Sequence, residues 1–310
     1  MLTDYYVQKV SLECYPLIKE LFLSAFKIKI DYSGFIKKYD TEKLGHSVIG
    51  FLAIHKISNE PAAYYGVFPQ KALIDGKETL IAVSGDTMTH KNHRKKGLFI
   101  HLAEFTFDEC RKNGIQFIHG VPNENSYHGL VNKLHWIHAD DVIAYDLKLR
   151  IKTFPLPKIC IKIHTLGSYF KYAKLILMKK TVYDVNSFCN PLEKSNKVFR
   201  DIDYLNYKRT VDKIFIKIDN VTFWVKLVDV LLIGDIDNYA TFNLKTVRKL
   251  KKVAWVLGYN TIRFQINKNI NLPFLKYFKQ HQTAPLCYYY INEEFQKNNL
   301  VITAADFDTW

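Results

Sequence analysis

The sequence has few of the residues that mark several structural classes. Only 13 glycines and 9 prolines occur in 310 residues, which excludes collagen-like and low-complexity chains. The five cysteines are scattered, and their spacing is typical of neither a zinc site nor a disulfide framework, so a reducing compartment is favoured. No stretch approaches the ~20 uninterrupted apolar residues of a membrane-spanning helix, and the N-terminus lacks a basic region followed by an apolar run. We therefore expect a cytoplasmic protein with no signal peptide and no metal.

The composition that is present is typical of a globular protein. The chain is 48% hydrophobic, 15% aromatic and 24% charged, which excludes a disordered chain. Its length suits two domains of ~100–200 residues each. The net charge of +14 is uneven: residues 1–150 carry 19 basic and 17 acidic side chains, whereas residues 151–310 carry 25 and 13. Nearly all of the excess positive charge therefore belongs to the second half.

The densest positive charge runs from residue 148 to residue 183. This segment has nine basic residues and no acidic one, and apolar and aromatic residues lie between them. Such a segment can lie on an anionic membrane surface or bind a polyanion, because each exposed cation contributes ~1 kcal/mol there. The simpler interpretation is a connecting helix with a solvated lysine face. Nucleic acid is not an expected partner, since no helix-turn-helix, zinc-finger or RNA-recognition pattern is present.

Hydrophobic periodicity predicts the elements of the first half. Strand-like runs come first, and Asp75-Gly76 joins two of them as a hairpin turn. A helical run follows and ends at Asn113-Gly114. This order predicts antiparallel strands, and then two parallel strands joined by a right-handed crossover. The predicted strands are 5–10, 46–57, 62–74, 79–89 and 115–121, and the predicted helices are 12–27, 98–112 and 126–134.

The second half repeats the strand–helix–strand order. A strand pair at 221–238, a helix at 242–259 and a strand at 260–267 follow one another, and Ser84-Gly85-Asp86 aligns with Ile233-Gly234-Asp235. A tandem repeat with one degenerate copy, or chance similarity, explains the match. The predicted domains are a first domain at 1–150, a basic connecting segment at 151–189 and a degenerate copy of the first at 190–310.

One loop carries the strongest chemical signal. The segment from His93 to Phe99 leaves a strand and opens a helix, and its middle is Arg94-Lys95-Lys96-Gly97. Amides in the first turn of a helix lack intrahelical partners, and a glycine there lets a phosphate approach the backbone. The loop is therefore either a diphosphate site or an exposed basic turn.

These residues resemble the signature of the GNAT acyltransferases, which move an acyl group from acyl-coenzyme A to an amine. That signature is Arg/Gln-x-x-Gly-x-Gly/Ala, and here Arg94 and Gly97 match it while Phe99 replaces the small residue. The chain also resembles a bacterial subgroup with paired GNAT-like halves that is met among surface-polysaccharide genes. The matching segments are Ser84-Gly85-Asp86-Thr87-Met88-Thr89-His90, His93 to Phe99, Gly120-Val121-Pro122-Asn123-Glu124-Asn125-Ser126-Tyr127 and Lys133-Leu134-His135-Trp136.

The resemblance implies an α/β (α+β) fold with a mixed sheet, flanked by helices, that splays open after strand 79–89, and it implies acetyl-CoA as the co-substrate. The pantetheine would lie in that gap like an extra strand, against backbone groups near Met88 and Thr89. Asn123 and Asn125 would hydrogen-bond the pantetheine amides, or merely cap the following helix. The diphosphate would rest on the amides of Arg94, Lys95, Lys96, Gly97, Leu98 and Phe99.

Amide formation needs a base to take a proton from the attacking amine and an acid to protonate the leaving thiolate. Asp86 is the first candidate base, because a carboxylate in a half-buried cleft has a raised pKa; the alternative is a structural aspartate, as Asp235 at the matching place favours. His90 and His119 end neighbouring strands and are the other candidate bases. Tyr127 is the candidate acid, or a packing tyrosine.

The expected function is an acyl-CoA-dependent N-acyltransferase that acts on an amino sugar or another small amine. The acceptor follows only from the resemblance. An aminoacyl transferase of the peptidoglycan-bridge type also pairs such halves, but it needs no acyl-CoA loop. The third alternative is a non-catalytic binding protein that keeps the fold.

Overall fold

The structure is a computed structural model that describes residues 2–27, 29, 31–149, 188, 195–210 and 212–309. The predicted basic segment lies outside the described residues beyond residue 149, and the predicted connecting segment lies outside them except for residue 188. The expected contact of 148–183 with an anionic membrane therefore stays a prediction. Within the described ranges, no helix combines the length and the apolar character needed to cross a bilayer.

The described strands join in one open, mixed sheet, and this confirms the predicted fold class. Its order is β1-β2-β3-β4-β5-β12-β6-β11-β10-β9-β8, with the short β7 against β3. The strands are β1 (Tyr5–Lys9), β2 (Ile49–His55), β3 (Pro61–Ile74), β4 (Lys77–Thr89), β5 (Phe117–Gly120), β6 (Ile137–Lys148), β7 (Lys197–Val198), β8 (Lys213–Ile218), β9 (Val221–Leu227), β10 (Leu231–Ile236), β11 (Thr261–Asn267) and β12 (Lys279–Tyr290).

Helices flank the sheet and bury one face each. The apolar side of α3 packs on β2 and β3 through Leu102 and Phe107, while α1 packs on β3 and β4 through Ile18 and Leu21. These buried faces hold the helices at fixed positions along the strands. The described helices are α1 (Tyr15–Phe26), α2 (Tyr32–Tyr39), α3 (Leu98–Lys112), α4 (Glu124–Lys133), α5 (Ile202–Lys208) and α6 (Leu244–Val256).

The two halves of the chain exchange a strand. β12, from the C-terminal part, lies antiparallel between β5 and β6, so that Tyr288 pairs with both His119 and Ile137. β6 in turn pairs with β11 of the second half, from Val142 to Lys148. Each half is therefore completed by a strand of the other, and the sheet runs through both without a break.

The halves also share a local topology. β3 and β4 form an antiparallel pair and β4 runs parallel to β5, just as β9 and β10 are antiparallel and β10 runs parallel to β11. Each antiparallel pair carries a bulge at the aligned aspartates, near Asp86 in β4 and between Ile233 and Asp235 in β10. Twelve strands in this order are consistent with two similar halves, while the repeat and the domain boundaries stay predictions.

Most of the predicted elements are confirmed within a few residues. The hairpin at Asp75-Gly76 forms with both residues at positive φ, and the helix at 98–112 has the predicted bounds. The sequence analysis missed α2, α5, β6, β7 and β8. The helices α2 and α5 have only eight and seven residues, and β6 begins with polar residues and pairs only with distant strands.

Candidate functional site

A strand-shaped gap opens between β4 and β5. These parallel strands pair only at Ala82 with Ile118 and at Val83 with His119, and β5 ends at Gly120. From residue 84 to residue 89, β4 has no strand partner other than β3 within the described part of the chain. The edge of β4 therefore offers unpaired backbone groups to an extended ligand.

A bulge in β4 produces this divergence. The register with β3 shifts between Tyr64 and Gly66, and Asp86 adopts a φ of 55°. A bulge adds one residue to a strand and bends it, which turns the end of β4 away from β5. Met88 and Thr89, the predicted contacts of the pantetheine, lie on the diverging stretch; the Met88 side chain is buried, and Thr89 pairs with Ala63.

The N-terminus of α3 lies at the end of the loop that follows β4. Gly97 is the N-cap at a φ of 76°, and no side chain caps the helix. Lys95 also has a positive φ, and the segment from residue 94 to residue 97 is exposed. The amides of Leu98 and Phe99 are thus first-turn amides without a side-chain acceptor, at the positive end of the helix dipole. This geometry is suited to a diphosphate.

The corresponding helix of the second half begins with a side-chain cap. This helix, α6, begins at Asn243, whose side-chain oxygen accepts hydrogen bonds from the amides of Lys245 and Thr246. Asp235, which aligns with Asp86, is fully engaged by the Arg200 guanidinium in a buried network. Of these two corresponding helices, α3 begins without a side-chain cap and α6 begins with one.

His93 anchors the basic loop to the sheet. Its ring is 4% exposed; Nδ1 lies 2.9 Å from the Tyr5 hydroxyl, and Nε2 lies 2.7 Å from Oε1 of Glu60. Arg94 donates from Nε to the carbonyl of Thr89 at 3.4 Å. The loop is therefore fixed at its first residues. The Lys96 ammonium lies over the Tyr5 ring, 5.9 Å from its centroid, while residues 94–97 are exposed to a ligand.

Phe99 takes the position of the small residue in the GNAT signature without closing the loop. Its ring lies edge-on to Tyr65 at 5.4 Å between ring centroids. A Cβ on Gly129 of α4 would come within 2.9 Å of the Phe99 ring. Gly129 thus leaves space for the Phe99 ring against α4.

Asp86 belongs to a buried charge cluster. The Lys38 ammonium of α2 lies 2.7 Å from Oδ1 of Asp86 and 3.6 Å from Oδ2 of Asp308 near the C-terminus. A Cβ on Gly85 would meet Asp308 at 2.5 Å, so only glycine admits that carboxylate there. Burial raises the pKa of Asp86, Lys38 opposes that rise and Asp308 adds to it. Burial works against charge on Lys38, but the two carboxylates outweigh it and raise its pKa.

A small cleft adjoins this cluster and has a cavity volume of about 10 Å³, which is room for about one water molecule. Lys208 lines it and donates to the carbonyl of Phe307 at 2.7 Å. Burial, together with the nearby Lys213, lowers the pKa of Lys208 to about 7. The polar side chains that line the cleft are those of Lys38, Gln70, Tyr207, Lys208 and Asp308.

The two histidine candidates are placed differently. His119 is 1% exposed, its Nε2 lies 2.9 Å from Nε2 of Gln70, and burial lowers its pKa to about 4. His90 is half-buried and caps the turn that follows β4, where its Nδ1 accepts from the amide of Asn92 at 3.4 Å. Neither histidine joins the cluster around Asp86, and their roles as bases stay predictions.

Tyr127 belongs to a relay that the sequence analysis did not detect. Its hydroxyl lies 3.1 Å from Nδ1 of His138, and Nε2 of His138 lies 3.0 Å from Oδ1 of Asp141. His138 and Asp141 lie on β6, whose pairing with distant strands hid the connection. Asn123 caps α4 by accepting from the amides of Asn125 and Ser126, as the alternative interpretation of this residue has it.

Comparisons with known proteins agree with this geometry. Residues 8–131 match the family described as Acetyltransferase (GNAT) domain. No curated protein matches the sequence. A probable N-acyltransferase from Enterococcus faecalis is similar in structure, with a TM-score of 0.63, 12% identity, and coverage of 96% of this chain and 75% of that one.

Two further solved structures share the fold. A putative acetyltransferase from Pyrococcus horikoshii has a TM-score of 0.56 and 14% identity, over 97% of this chain and 94% of that one. A GCN5-related N-acetyltransferase from Kribbella flavida has a TM-score of 0.60 and 10% identity, over 93% of this chain and 72% of that one. Residues 8–131 thus match a GNAT acetyltransferase domain, and these solved structures share the fold over nearly the whole chain.

Proposed function

We propose that this protein, which carries a GNAT acetyltransferase domain, transfers an acetyl group from acetyl-CoA to the amine of an amino sugar in surface-polysaccharide synthesis. The observation that carries the proposal is the gap between β4 and β5, which lies beside the uncapped start of α3. An extended chain and a diphosphate are the two parts of coenzyme A that such a pair of features would hold.

The donor would lie along the free edge of β4. The pantetheine amides pair with backbone groups near Met88 and Thr89, as a strand would. The diphosphate rests on the amides of residues 94–99, and Arg94, Lys95 and Lys96 add positive charge around it. Asn125 is exposed at the start of α4 and close in sequence to the gap, while Asn123 is committed to its cap.

Asp86 would take the proton of the acceptor amine. Its raised pKa makes it a stronger base than an exposed aspartate, and Lys38 keeps it charged in a buried place. When the amine nitrogen bonds to the acyl carbon, the bond from that carbon to sulfur breaks. Tyr127 would then give a proton to the leaving thiolate, and His138 with Asp141 would hold its hydroxyl in place.

The residues around the cleft beside Asp86 would contact the acceptor at the mouth of the cleft, because the cleft itself has room for only about one water molecule. Its lining offers ammonium and phenol donors next to amide and carboxylate acceptors, which suits a ring with several hydroxyl groups. Asp86 and Asp308 place two carboxylates beside the single ammonium of Lys38, and this excess of one negative charge would favour a cationic amine nearby. An amino sugar combines these properties, in line with the subgroup that the sequence resembles.

The experiment is a coenzyme A release assay with acetyl-CoA and matched acceptors. Glucosamine and other amino sugars should release coenzyme A, whereas glucose, which has a hydroxyl in place of the amine, should not. If simple amines but not amino sugars release coenzyme A, the transferase activity is supported and the proposed amino-sugar acceptor is wrong. Release from no amine, although acetyl-CoA binds, would overturn catalysis and leave a binding protein. If acetyl-CoA does not bind, the aminoacyl transferase becomes the better account.

A further inference from the structure

A cluster of metal-ligand residues lies at the foot of the basic loop. His55, Glu60 and His93 each place one ligand atom within 4.8 Å of the others. His55 ends β2, Glu60 precedes β3, and His93 belongs to the turn that follows β4. Two segments of the chain, the β2–β3 turn and the turn after β4, therefore bring their ligands to one point, where the proposed function assigns no role to them.

Both histidines are already oriented as metal ligands are. Nδ1 of His93 is held at 2.9 Å by the Tyr5 hydroxyl, and Nδ1 of His55 at 2.8 Å by the Ser58 hydroxyl. Metal-bound histidines commonly have their second ring nitrogen fixed by such a hydrogen bond. An ion would bind Nε2 of each ring. This requires Nδ1 of His55 to give up the 3.4 Å bond that it accepts from the Ser58 amide, and Nε2 of His93 to give up its bond to Glu60.

The Glu60 carboxylate is the third protein ligand, beside the two histidines. Oε1 of Glu60 lies 2.7 Å from Nε2 of His93, and the backbone of the turn is closed by a 3.0 Å bond from the His55 amide to the Glu60 carbonyl. A zinc ion with ligands at ~2.0–2.2 Å needs ligand atoms about 3.3 Å apart, so Glu60 and His93 must separate slightly and His55 must approach. The half-exposed side chains of His55 and Glu60 can make this adjustment.

We propose that His55, Glu60 and His93 bind a divalent transition metal ion such as zinc, which ties the β2–β3 turn to the acyl-CoA loop. Two imidazoles and one carboxylate form a ligand set that zinc uses, with a fourth position left for water or a further ligand. His90 is near that position, since its ring centroid lies 5.7 Å from that of His93. The prediction of no metal rested on cysteine spacing, and it could not detect a site assembled from two segments that are distant in the sequence.

The test is a zinc titration of the full, metal-free chain by calorimetry. Wild type should bind one equivalent with micromolar or tighter affinity, and His55→Gln and Glu60→Gln should each weaken this binding at least ~100-fold. Glu60→Gln keeps an oxygen that accepts from His93, so the loop keeps its anchor without a charged ligand. His128→Gln, at an exposed histidine bonded only to Asn132, is the matched control and should bind as wild type does.

Two further readouts decide the site. Cobalt in place of zinc should give the visible absorption of a four-coordinate ion in wild type and lose it in Glu60→Gln. Zinc should slow amide hydrogen exchange in residues 90–97 of wild type but not of His55→Gln. No binding at millimolar zinc, or equal binding by wild type and both variants, would overturn the proposal; the latter would mean adventitious binding to other histidines. None of these readouts depends on acetyl-CoA or on turnover.

Discussion

The Lys38 ammonium lies 2.7 Å from the Asp86 carboxylate. This ion pair connects α2 to the bulge in β4 that opens the sheet. The helix α2 lies beside the candidate acceptor cleft. The pair fixes the position of the carboxylate and limits how far burial raises its pKa. The same contact therefore links the geometry of the gap to the protonation of the proposed base.

Removing the carboxylate of Asp86 should abolish most of the activity. Asp86→Asn keeps the shape of the side chain but cannot take a proton, so kcat should fall ~100–10,000-fold. The KM for acetyl-CoA should change little, because the donor contacts the backbone of β4 and the start of α3. Steady-state kinetics with the best acceptor measures both, and an unchanged kcat would contradict the assignment.

Lys38 should control the pH dependence of that base. Lys38→Met keeps the length of the side chain and removes its charge, so the pKa of Asp86 should rise further. The base works only when ionised, and the acid limb of kcat/KM should therefore move to higher pH. A pH–rate profile that stays in place would show that Asp86 is not the titrating group. The exposed variant Lys112→Met, at the far end of α3, serves as the control.

Tyr127 should contribute to the departure of the thiolate. Tyr127→Phe removes the proton but keeps the ring, so kcat should fall ~10–100-fold while acetyl-CoA affinity is kept. His138→Gln should give a smaller loss, because it only releases the hydroxyl from its partner. If His138→Gln lowers activity as Tyr127→Phe does, the relay rather than the tyrosine alone carries the effect. Full activity of Tyr127→Phe would reduce Tyr127 to a packing role.

His119 should make the fold sensitive to acid. Its pKa falls from 6.5 to about 4 because burial disfavours the charged ring. The unfolded chain therefore binds its proton first, and up to roughly 3 kcal/mol of stability is lost as the pH falls from 6.5 toward 4. Urea unfolding of wild type and His119→Gln at pH 7 and pH 4.5 measures this, with His128→Gln as the control. An equal pH dependence of His119→Gln and wild type would contradict it.

The strand exchange predicts that the first half cannot fold alone. Residues 1–150 lack β12, so β5 would have an open edge and β6 would have no neighbour on either side. Expressed by itself, this fragment should show no cooperative unfolding transition and should aggregate, whereas the full chain should unfold cooperatively. A soluble, cooperatively folded 1–150 fragment would contradict the role of the exchanged strands.

The sequence predicts the parts of the fold that depend on local signals. Asp75-Gly76 marks its hairpin because a two-residue turn needs positive φ, and the apolar period of α3 is regular from Leu98 to Cys110. The uncapped loop at Gly97 could also be predicted, since glycine precedes a helix and no capping side chain accompanies it. These features need no knowledge of distant contacts.

The remaining features depend on contacts between distant residues. Asp308 reaches Gly85 from the other end of the chain, and Lys38 comes from α2, which the sequence analysis did not predict. No spacing in the sequence predicts these contacts, because they depend on how distant segments pack together.

The account depends first on acyl-CoA binding at the start of α3, and one calorimetric comparison tests this most directly. Gly97→Glu and Gly114→Glu both place glutamate at a φ of 76°, one at the N-terminus of α3 and the other just beyond its C-terminus. Both variants carry the same strain and charge change, but only Gly97→Glu sets a carboxylate against the diphosphate. We predict that wild type and Gly114→Glu bind acetyl-CoA with micromolar affinity and that Gly97→Glu loses it. Equal binding by all three proteins, or binding by none, would contradict the account.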